Sequence, residues 1–392
     1  MCKIQKLITI QPPKYPIFPT TNINQHFERL YTDRVADRYY FDGSTAFEDE
    51  LCEYLGVKHC FVTNSGHASV LITLMAAGVG AGDEVITTPI SWAQTLSPIL
   101  ELGATPVFAD IDPDTFQISY ENICNCTTEK TKAVLVVNLY GSSPDLHSIK
   151  EYCDSLNITL IEDSAMSMGV LYGNKYTGTI ADMGALSFNS NKLLAIGGAG
   201  AVVSNDSDLF DKMMYHGSKA THKSKALANK PYTIDGLDYT FLCHPLLQEM
   251  GRDQLKNLSE YNSNRIENTN YLRNLLKDVK GIKLQQIHER ASTPIYMFSF
   301  VNEMPIKIDL LLELFKKVGL PATRYNGPAL SRLPEGRFKT YSQADCPNAD
   351  YLSDNEICFT SNRWYTKDKD YLDQYAEALI YCYDGLEKRF NG

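Results

Sequence analysis

The sequence predicts an α/β fold in which a mainly parallel β-sheet carries helices on both faces, followed by a smaller C-terminal α+β domain. Short β-type runs alternate with helical segments along residues 46–204, which is the pattern of βαβ units. A length of 392 residues is enough for roughly two domains with a sizeable buried core. Apolar residues make up 44% of the chain and charged residues 21%, a composition typical of globular proteins.

The first half of the chain supplies the alternation. Residues 46–56 place Phe47, Leu51 and Leu55 at helical spacing, and Gly56 ends the segment. The elements predicted next are strand 59–63, helix 65–77, strand 84–88, helix 92–102, strand 106–110, strand 132–138, helix 145–156, strand 159–162, and strands 184–189 and 200–204. In sheets of this kind, ligands bind beyond the carboxyl ends of the strands.

The second half of the chain has a different pattern. A polar stretch at 216–235, rich in Lys and Ser, predicts an exposed loop, and a long helix at 245–276 then leads out of the large domain. The runs GIKLQQI and PIYMFSFVN, with helices at 308–318 and 368–389, predict a smaller α+β domain. We therefore expect an N-terminal arm at 1–30, a large domain at 31–255 and a small domain at 256–392.

Charge and cysteine usage exclude several classes of function. A net charge of −10 argues against a nucleic-acid surface. The N-terminus does not predict a signal peptide, and the apolar run at 71–82 is shorter than the ~20 residues that span a bilayer. We expect a cytoplasmic chain without a membrane partner, whose ten cysteines are reduced thiols. Cys124 and Cys126 lack the second pair that zinc requires, so no metal site is predicted.

Four features at or just after predicted strand ends indicate one binding site. The first is the turn TNSGHA at 63–68, where a helix N-terminus could hold a phosphate and Gly66 allows close backbone approach. Small residues also cap helices that bind nothing. The second is Trp92 in ITTPISWAQ, whose indole could stack on a flat heteroaromatic ring or lie in the core.

The third feature is LIEDSA at 160–165, which places Asp163 at the carboxyl edge of the sheet. A carboxylate there could pair with a pyridinium nitrogen and keep it protonated, or it could be a surface or capping acid. The fourth is SFNSNK at 187–192, followed by a glycine-rich return. Desolvation would make Lys192 a nucleophile toward an aldehyde, and Ser187 could offer its hydroxyl to a phosphate; the alternative is a structural lysine. In this order, the four features indicate pyridoxal 5'-phosphate (PLP) held as an imine on Lys192.

Blocks between Phe47 and about Leu276 resemble the DegT/DnrJ-type aminotransferases, which put amino groups on keto sugars. The matching blocks are EYLGVKHCFVTNSGHASV, GDEVITTPISWAQT, LGATPVFADIDPDTFQI, NLYGSSPDLHSI, IEDSAMSMG, GALSFNSNK and GGAGAVVSND. The resemblance implies a fold-type I PLP-dependent transferase of the aspartate aminotransferase superfamily, with a seven-stranded, mainly parallel sheet. It also implies a homodimer in which the partner chain completes each active site.

The resemblance also implies roles for individual residues. Lys192 would bond the cofactor and shuttle a proton, Asp163 would pair with the pyridinium nitrogen, and Trp92 would stack on the ring. The other cofactor-binding residues would be Ser65, Gly66, His67, Ser187 and Asn191.

Some positions depart from the family pattern. Met166 stands where family members usually have Gln or His near the cofactor's 3'-oxygen, and it can donate no hydrogen bond. Thr240 stands where an asparagine commonly reaches across the dimer to the phosphate. The run Cys243-His244-Pro245 resembles a subgroup with a member that acts on a sugar phosphate.

The function implied is a ping-pong transamination in sugar or polysaccharide biosynthesis. L-Glutamate, or L-glutamine, would leave its amino group as pyridoxamine 5'-phosphate, and a keto sugar, nucleotide-linked or phosphorylated, would accept it. The alternatives are a small non-sugar phosphorylated ketone as acceptor, a PLP-dependent sugar dehydratase, and a non-catalytic PLP-binding regulator. Some relatives become dehydratases when histidine replaces the lysine, so Lys192 argues against that branch.

Substrate contacts are expected from the C-terminal region. Arg324 and Tyr325 in PATRYNG, and Arg363 in SNRWY, are the candidates. An arginine in a cleft suits a phosphate or carboxylate, although a surface or interdomain ion pair is an equal explanation.

Overall fold

A computed structural model describes residues 24, 28, 45–217, 239–325, 327–333 and 345–391. The expected N-terminal arm lies outside the described residues, apart from positions 24 and 28, and so does most of the polar stretch at 216–235. No helix among the described residues is long and apolar enough to cross a membrane.

The core of the molecule is a seven-stranded sheet, as the resemblance implied. Its strands, in spatial order, are β1 (His59–Thr63), β9 (Gly200–Ser204), β8 (Met183–Ser187), β5 (Thr159–Asp163), β4 (Thr131–Val137), β2 (Glu84–Thr87) and β3 (Thr105–Phe108). Every pair is parallel except the two that β9 makes with its neighbours β1 and β8. The inner strands are buried over almost their whole length, because helices cover both faces of the sheet.

Helices in the first part of the chain connect these strands. They are α1 (Ala46–Leu55), α2 (Gly66–Ala76), α3 (Ala93–Glu101), α4 (Tyr120–Cys126), α5 (Leu146–Leu156) and α6 (Ser207–Gly217). A capping box formed by Thr45 and Glu48 begins α1, and Gly56, with φ of 68°, ends it in the left-handed conformation. The side chain of Ser65 caps α2 by accepting a hydrogen bond from the N–H of Ala68.

The predicted elements agree with the observed ones to within a few residues. The predicted helix at 145–156 begins at Leu146, with Asp145 as its cap, and the strand at 59–63 has the predicted bounds. Helices α4 and α6 and the small hairpin of β6 (Leu171–Tyr172) and β7 (Lys175–Tyr176) are not among the predicted elements. The seven-residue α4 and the two-residue strands carry too little periodicity to be recognised.

The C-terminal part begins with one long helix, α7 (Pro245–Leu276), which has the predicted bounds. It leads to an antiparallel sheet of β10 (Ile282–Leu284), β11 (Phe298–Asn302) and β12 (Glu356–Phe359), packed with α8 (Ile308–Val318), α9 (Pro347–Asn355) and α10 (Asp370–Asn391). Aromatic side chains fill a second core between this sheet and α10. The boundary expected at 255/256 falls inside α7 and stays a prediction.

One buried carboxyl group lies where the two parts of the chain meet. Glu356 of β12 is 2% exposed and accepts a hydrogen bond from Ser299, and Tyr140 lies beside it. Tyr140 has a left-handed φ of 61°, in a turn at residues 139–141 after β4. Burial raises the pKa of Glu356 to about 7.

Candidate active site

Four strands of the large sheet end at the same edge. Because β9 is antiparallel to both β1 and β8, the strands β1, β2, β5 and β8 all run in one direction. Ser65 and Trp92 follow β1 and β2, whereas Asp163 and Ser187 are the last residues of β5 and β8. The topology therefore brings the four sequence features to one edge.

Lys192 and Asp163 interact electrostatically at this edge. Burial lowers the pKa of the Lys192 amine to about 8, and the Asp163 carboxylate acts in the opposite direction. The Nζ atom of Lys192 lies 4.9 Å from the ring centre of Tyr296. Since burial disfavours the charged amine, a nucleophilic, uncharged form becomes accessible near neutral pH.

Asp163 is held by hydrogen bonds from two directions. Thr95 Oγ1 donates to its Oδ2 atom at 2.9 Å, and the N–H of Ala165 donates to its Oδ1 atom at 3.1 Å. Ser91 Oγ lies 2.8 Å from Thr95 Oγ1 and extends this chain of hydroxyls. Burial raises the pKa of Asp163, whereas the two donors and the charge of Lys192 lower it. The hydrogen bonds and the positive charge favour the ionised form of Asp163, which is the form that can pair with a cationic group.

Gly66 and Ser187 are in close contact. A Cβ atom added at Gly66 would lie 2.7 Å from Ser187 Cβ and 2.9 Å from Ser187 Oγ. Gly66 begins α2, so the unpaired N–H groups of that helix and the hydroxyl of Ser187 occupy the same corner. We call this place the phosphate corner: the N–H groups that begin α2 and the Ser187 hydroxyl supply the hydrogen-bond donors and the partial positive charge that a phosphate needs.

The side chain of His67 points elsewhere. Its Nε2 atom lies 3.1 Å from Glu101 Oε1, and Ser97 Oγ lies 3.4 Å from its Nδ1 atom, so the ring is directed at α3. Only its backbone N–H, in the first turn of α2, belongs to the phosphate corner. Ser65 likewise uses its hydroxyl to cap the helix.

Trp92 is 54% exposed in the described chain, although it comes directly before the first turn of α3. The structure therefore does not show the core position that was the alternative, and the exposed part of the indole can be reached by a ligand.

Met166 and Asn191 flank the Asp163–Lys192 pair. Met166 is buried, and Tyr325 directs its hydroxyl at the Met166 sulfur across 3.8 Å. Asn191 is exposed, and its carbonyl oxygen accepts a hydrogen bond from Asn362 Nδ2 at 2.5 Å.

Thr240 is exposed and lies beside the start of the phosphate corner. The N–H of Asn64 donates to the carbonyl oxygen of Phe241 at 2.7 Å, and Leu242 forms a bridge with Thr63. Residues 240–242 therefore lie along the end of β1 of the same chain.

The three substrate candidates occupy different surroundings. Tyr325 packs edge-on against Tyr140, with 5.2 Å between ring centres, and is close to Met166. Arg324 forms an ion pair with Asp309, 3.1 Å away on α8. Arg363 is exposed and follows Asn362, which contacts the Lys192 loop. Of the three, Tyr325 has the most direct contact with the predicted site.

Sequence reasoning missed Thr95, Tyr296 and Asn362. Thr95 lies three residues after Trp92 on α3, so the helical spacing could have suggested it. Tyr296 and Asn362 come from the C-terminal part of the chain, and no local pattern marks them.

The edge fits a flat, phosphorylated pyridine aldehyde. It combines the phosphate corner, the exposed indole of Trp92, the buried carboxylate of Asp163 and the Lys192 amine, whose pKa is lowered. Among the described residues, no group of three or more His, Cys, Asp or Glu side chains is arranged to hold a metal ion.

Comparison with known families gives a match over most of the chain. The model of the DegT/DnrJ/EryC1/StrS aminotransferase family matches residues 27–370. Members of this family are PLP-dependent aminotransferases.

Several curated relatives are sugar aminotransferases. GDP-perosamine synthase of Vibrio cholerae is 33% identical over 55% of this chain and 57% of its own length. GDP-perosamine synthase of Escherichia coli O157:H7 is 30% identical over 65% of this chain and 68% of its own length. L-Glutamine:2-deoxy-scyllo-inosose aminotransferase of Streptomyces paromomycinus is 31% identical over 66% of this chain and 62% of its own length. The chain thus spans about six tenths of the relatives it matches.

Solved structures share the fold over nearly the whole chain. 3-Amino-5-hydroxybenzoic acid synthase superposes with a TM-score of 0.83 at 21% identity, covering 96% of this chain and 100% of that one. GDP-4-keto-6-deoxymannose-3-dehydratase, solved with a trapped PLP-glutamate geminal diamine, has a TM-score of 0.79 at 24% identity, covering 93% of this chain and 100% of that one. The fold is therefore that of the fold-type I enzymes.

Proposed function

This chain belongs to the DegT/DnrJ/EryC1/StrS aminotransferase family, and on that premise we propose that it moves an amino group from L-glutamate or L-glutamine to a keto sugar. The acceptor carries a nucleotide or a phosphate, and the transfer is of the ping-pong type. PLP is the cofactor of the family, and Lys192 is the residue that would bond it.

One observation carries this proposal: a half-buried lysine and a buried carboxylate interact at the edge where the parallel strands end. The pKa of Lys192 is lowered to about 8, so roughly a tenth of the amine is uncharged at pH 7. Asp163 is 6% exposed and accepts two hydrogen bonds. An ion pair that served only to stabilise the fold would not need the exposed Trp92 and the phosphate corner on the same edge of the sheet.

The chain's residues divide the binding of PLP among them. Gly66 and His67 would offer backbone N–H groups to the phosphate, together with the hydroxyl of Ser187. Trp92 would cover one face of the ring, and Asp163 would pair with its nitrogen. When bound, PLP supplies an aldehyde that takes up the amino group and a ring that accepts electrons.

Lys192 would do the proton chemistry. With the amino donor in the site, the Nζ atom of Lys192 would take the α-proton of the donor and hold it for return within the same pocket. Because the amine is tethered beside the reacting atoms, each proton transfer is intramolecular, and such positioning contributes several orders of magnitude to the rate. Thr95 and Ala165 donate hydrogen bonds to Asp163, and these bonds, together with the charge of Lys192, oppose the rise in its pKa that burial causes.

The acceptor site is proposed from the C-terminal region. Tyr325 reaches Met166 beside the site, and Arg363 would bring a positive charge toward a phosphate. Arg324 would have to leave Asp309 in order to contribute. Relatives named GDP-perosamine synthase make GDP-linked keto sugars the first acceptors to try.

A homodimer with shared active sites is also proposed. Thr240 is exposed in the single chain and lies beside the phosphate corner. A second copy would cover it, as in the family that the sequence resembles. The nine described cysteines form no disulfide, which supports the proposed cytoplasmic location.

The test separates the two half-reactions. The PLP-loaded protein is mixed with L-glutamate, L-glutamine or neither, and the absorbance of the bound cofactor is followed as it converts from the aldehyde to the amine form. The amine form is then offered GDP-linked keto sugars, other nucleotide-linked keto sugars, keto-sugar phosphates and small phosphorylated ketones, and aminated products are identified by mass.

Lys192→Ala should abolish turnover and the absorbance of the lysine-bound cofactor. Lys212→Ala, on the exposed side of α6, is the matched control and should behave as the native protein. Full turnover by Lys192→Ala would disprove the proposal. No conversion with either donor would favour a regulator, and a product that has lost a hydroxyl without gaining nitrogen would indicate a dehydratase.

A further inference from the structure

The ring of Tyr296 faces the amine of Lys192. Nζ lies 4.9 Å from the ring centre, and Tyr296 is 7% exposed. A cation over an aromatic face is attracted by the ring quadrupole, more strongly where water is excluded. Tyr296 therefore favours the charged amine at a fixed place, whereas burial favours the neutral one.

Tyr296 and Asn362 together hold the residue before Lys192. Asn362 Nδ2 donates to the carbonyl oxygen of Asn191 at 2.5 Å, and the Asn191 side chain hydrogen-bonds the Tyr296 hydroxyl. The backbone N–H of Asn362 also donates to the carbonyl oxygen of Tyr296 at 3.3 Å. Hydrogen bonds therefore link Asn191, Tyr296 and Asn362 to one another beside the loop that carries Lys192.

This arrangement is anchored to rigid parts of both halves of the chain. Arg265 of α7, fully buried, donates from Nε to the Asn362 carbonyl oxygen at 2.9 Å. The N–H of Tyr296 donates to the Tyr140 carbonyl oxygen at 2.9 Å. Tyr296 and Asn362 therefore keep their positions when the lysine moves.

We propose that Tyr296 is a positioning residue that holds the free Lys192 amine within the pocket, and that Asn362 secures the loop carrying it. The proposal rests on the role of Lys192 proposed above. Asp163 and Tyr296 are two titratable groups that interact with the amine. The hydroxyl of Tyr296 stays neutral, because burial raises its pKa to about 12.

The experiment measures the lysine without the cofactor and then with it. In the cofactor-free protein, competitive acetylation at a series of pH values, with mass spectrometry of the peptide containing Lys192, gives the pKa of that amine. Tyr296→Leu removes the ring and should lower this pKa by about half to one unit. Tyr296→Phe keeps the ring, so the pKa should stay close to the native value.

The cofactor-loaded variants give a second readout. Tyr296→Phe and Asn362→Ala each remove one hydrogen bond to Asn191, so both variants should release PLP faster during dialysis. The pKa of the free Lys192 amine should stay unchanged in both. Tyr172→Leu is the control: Tyr172 is 6% exposed, hydrogen-bonded and stacked on His288, so it should lose stability without moving the Lys192 pKa.

The inference is overturned if Tyr296→Leu leaves the pKa unchanged, or if Tyr172→Leu shifts it equally. It is also overturned if neither Tyr296→Phe nor Asn362→Ala speeds PLP release. The acetylation result does not depend on catalysis, so it remains readable if the transamination proposal fails.

Discussion

Replacing Gly66 with alanine would push a methyl group into the side chain of Ser187. The new Cβ atom would lie 2.7 Å from Ser187 Cβ, and Ser187 is fixed by its pairing with Gly200 in the sheet. Overpacking of this kind costs about 1–3 kcal/mol. Alanine has a higher helix propensity than glycine, which would stabilise the folded state by about 0.5–1 kcal/mol. The clash is the larger effect, so we expect a net loss of about 1–2 kcal/mol in the free energy of unfolding.

The same change should weaken PLP binding, because the corner that would receive the phosphate becomes narrower. A loss of 1.4 kcal/mol corresponds to about tenfold in the dissociation constant. Urea unfolding of the cofactor-free protein measures stability, and titration with PLP measures affinity. Gly80→Ala is the matched control, since a Cβ atom there meets nothing within 4 Å.

A double variant tests the assigned cause. Ser187→Gly removes the atoms that the methyl group would meet, so Gly66→Ala should cost little stability in that background. Affinity for PLP should stay low, because the hydroxyl is also gone. If Gly66→Ala alone matches Gly80→Ala in both stability and affinity, the corner is not as tight as described and the reasoning is wrong.

Three further changes have predictable effects. Thr95→Val removes a donor to Asp163, so the pKa of that carboxyl should rise, which NMR titration of the cofactor-free protein would detect. Glu356→Gln should remove a pH dependence of stability. The pKa of Glu356 is about 7 when folded against a usual 4.5, so the native protein should lose about 3 kcal/mol between pH 4.5 and 7, and unfolding of the Gln variant should lack this fall. Gly141→Ala should destabilise the protein by more than 1 kcal/mol in urea unfolding, because φ is 82° and the new Cβ would lie 2.9 Å from the backbone nitrogen of Tyr296.

The sequence was sufficient to predict the sheet and the four features at its edge. Residues such as Asp163 and Ser187 end apolar strands, and the parallel topology places all such ends together. That rule places Asp163 near the loop that follows Ser187, whereas the interaction of Lys192 with Asp163 is seen only in the structure.

Other parts of the site depend on tertiary contacts that no local pattern encodes. Tyr296 and Asn362 reach the lysine loop from positions more than 100 residues later in the chain. The ion pair of Arg324 with Asp309 likewise depends on how α8 packs. The helix α4 was missed because Asn and Cys residues give it a weak intrinsic preference.

The half-exposed indole of Trp92 gives the protein an optical reporter of its own. The chain has two tryptophans, and Trp364 is 1% exposed whereas Trp92 is 54% exposed. Emission from Trp92 should therefore lie to the red of emission from Trp364, and acrylamide should reach it first. A flat ligand stacked on Trp92 would quench the red component alone, so the fraction of filled sites could be counted by fluorescence in the native protein, with Trp92→Phe as the blank.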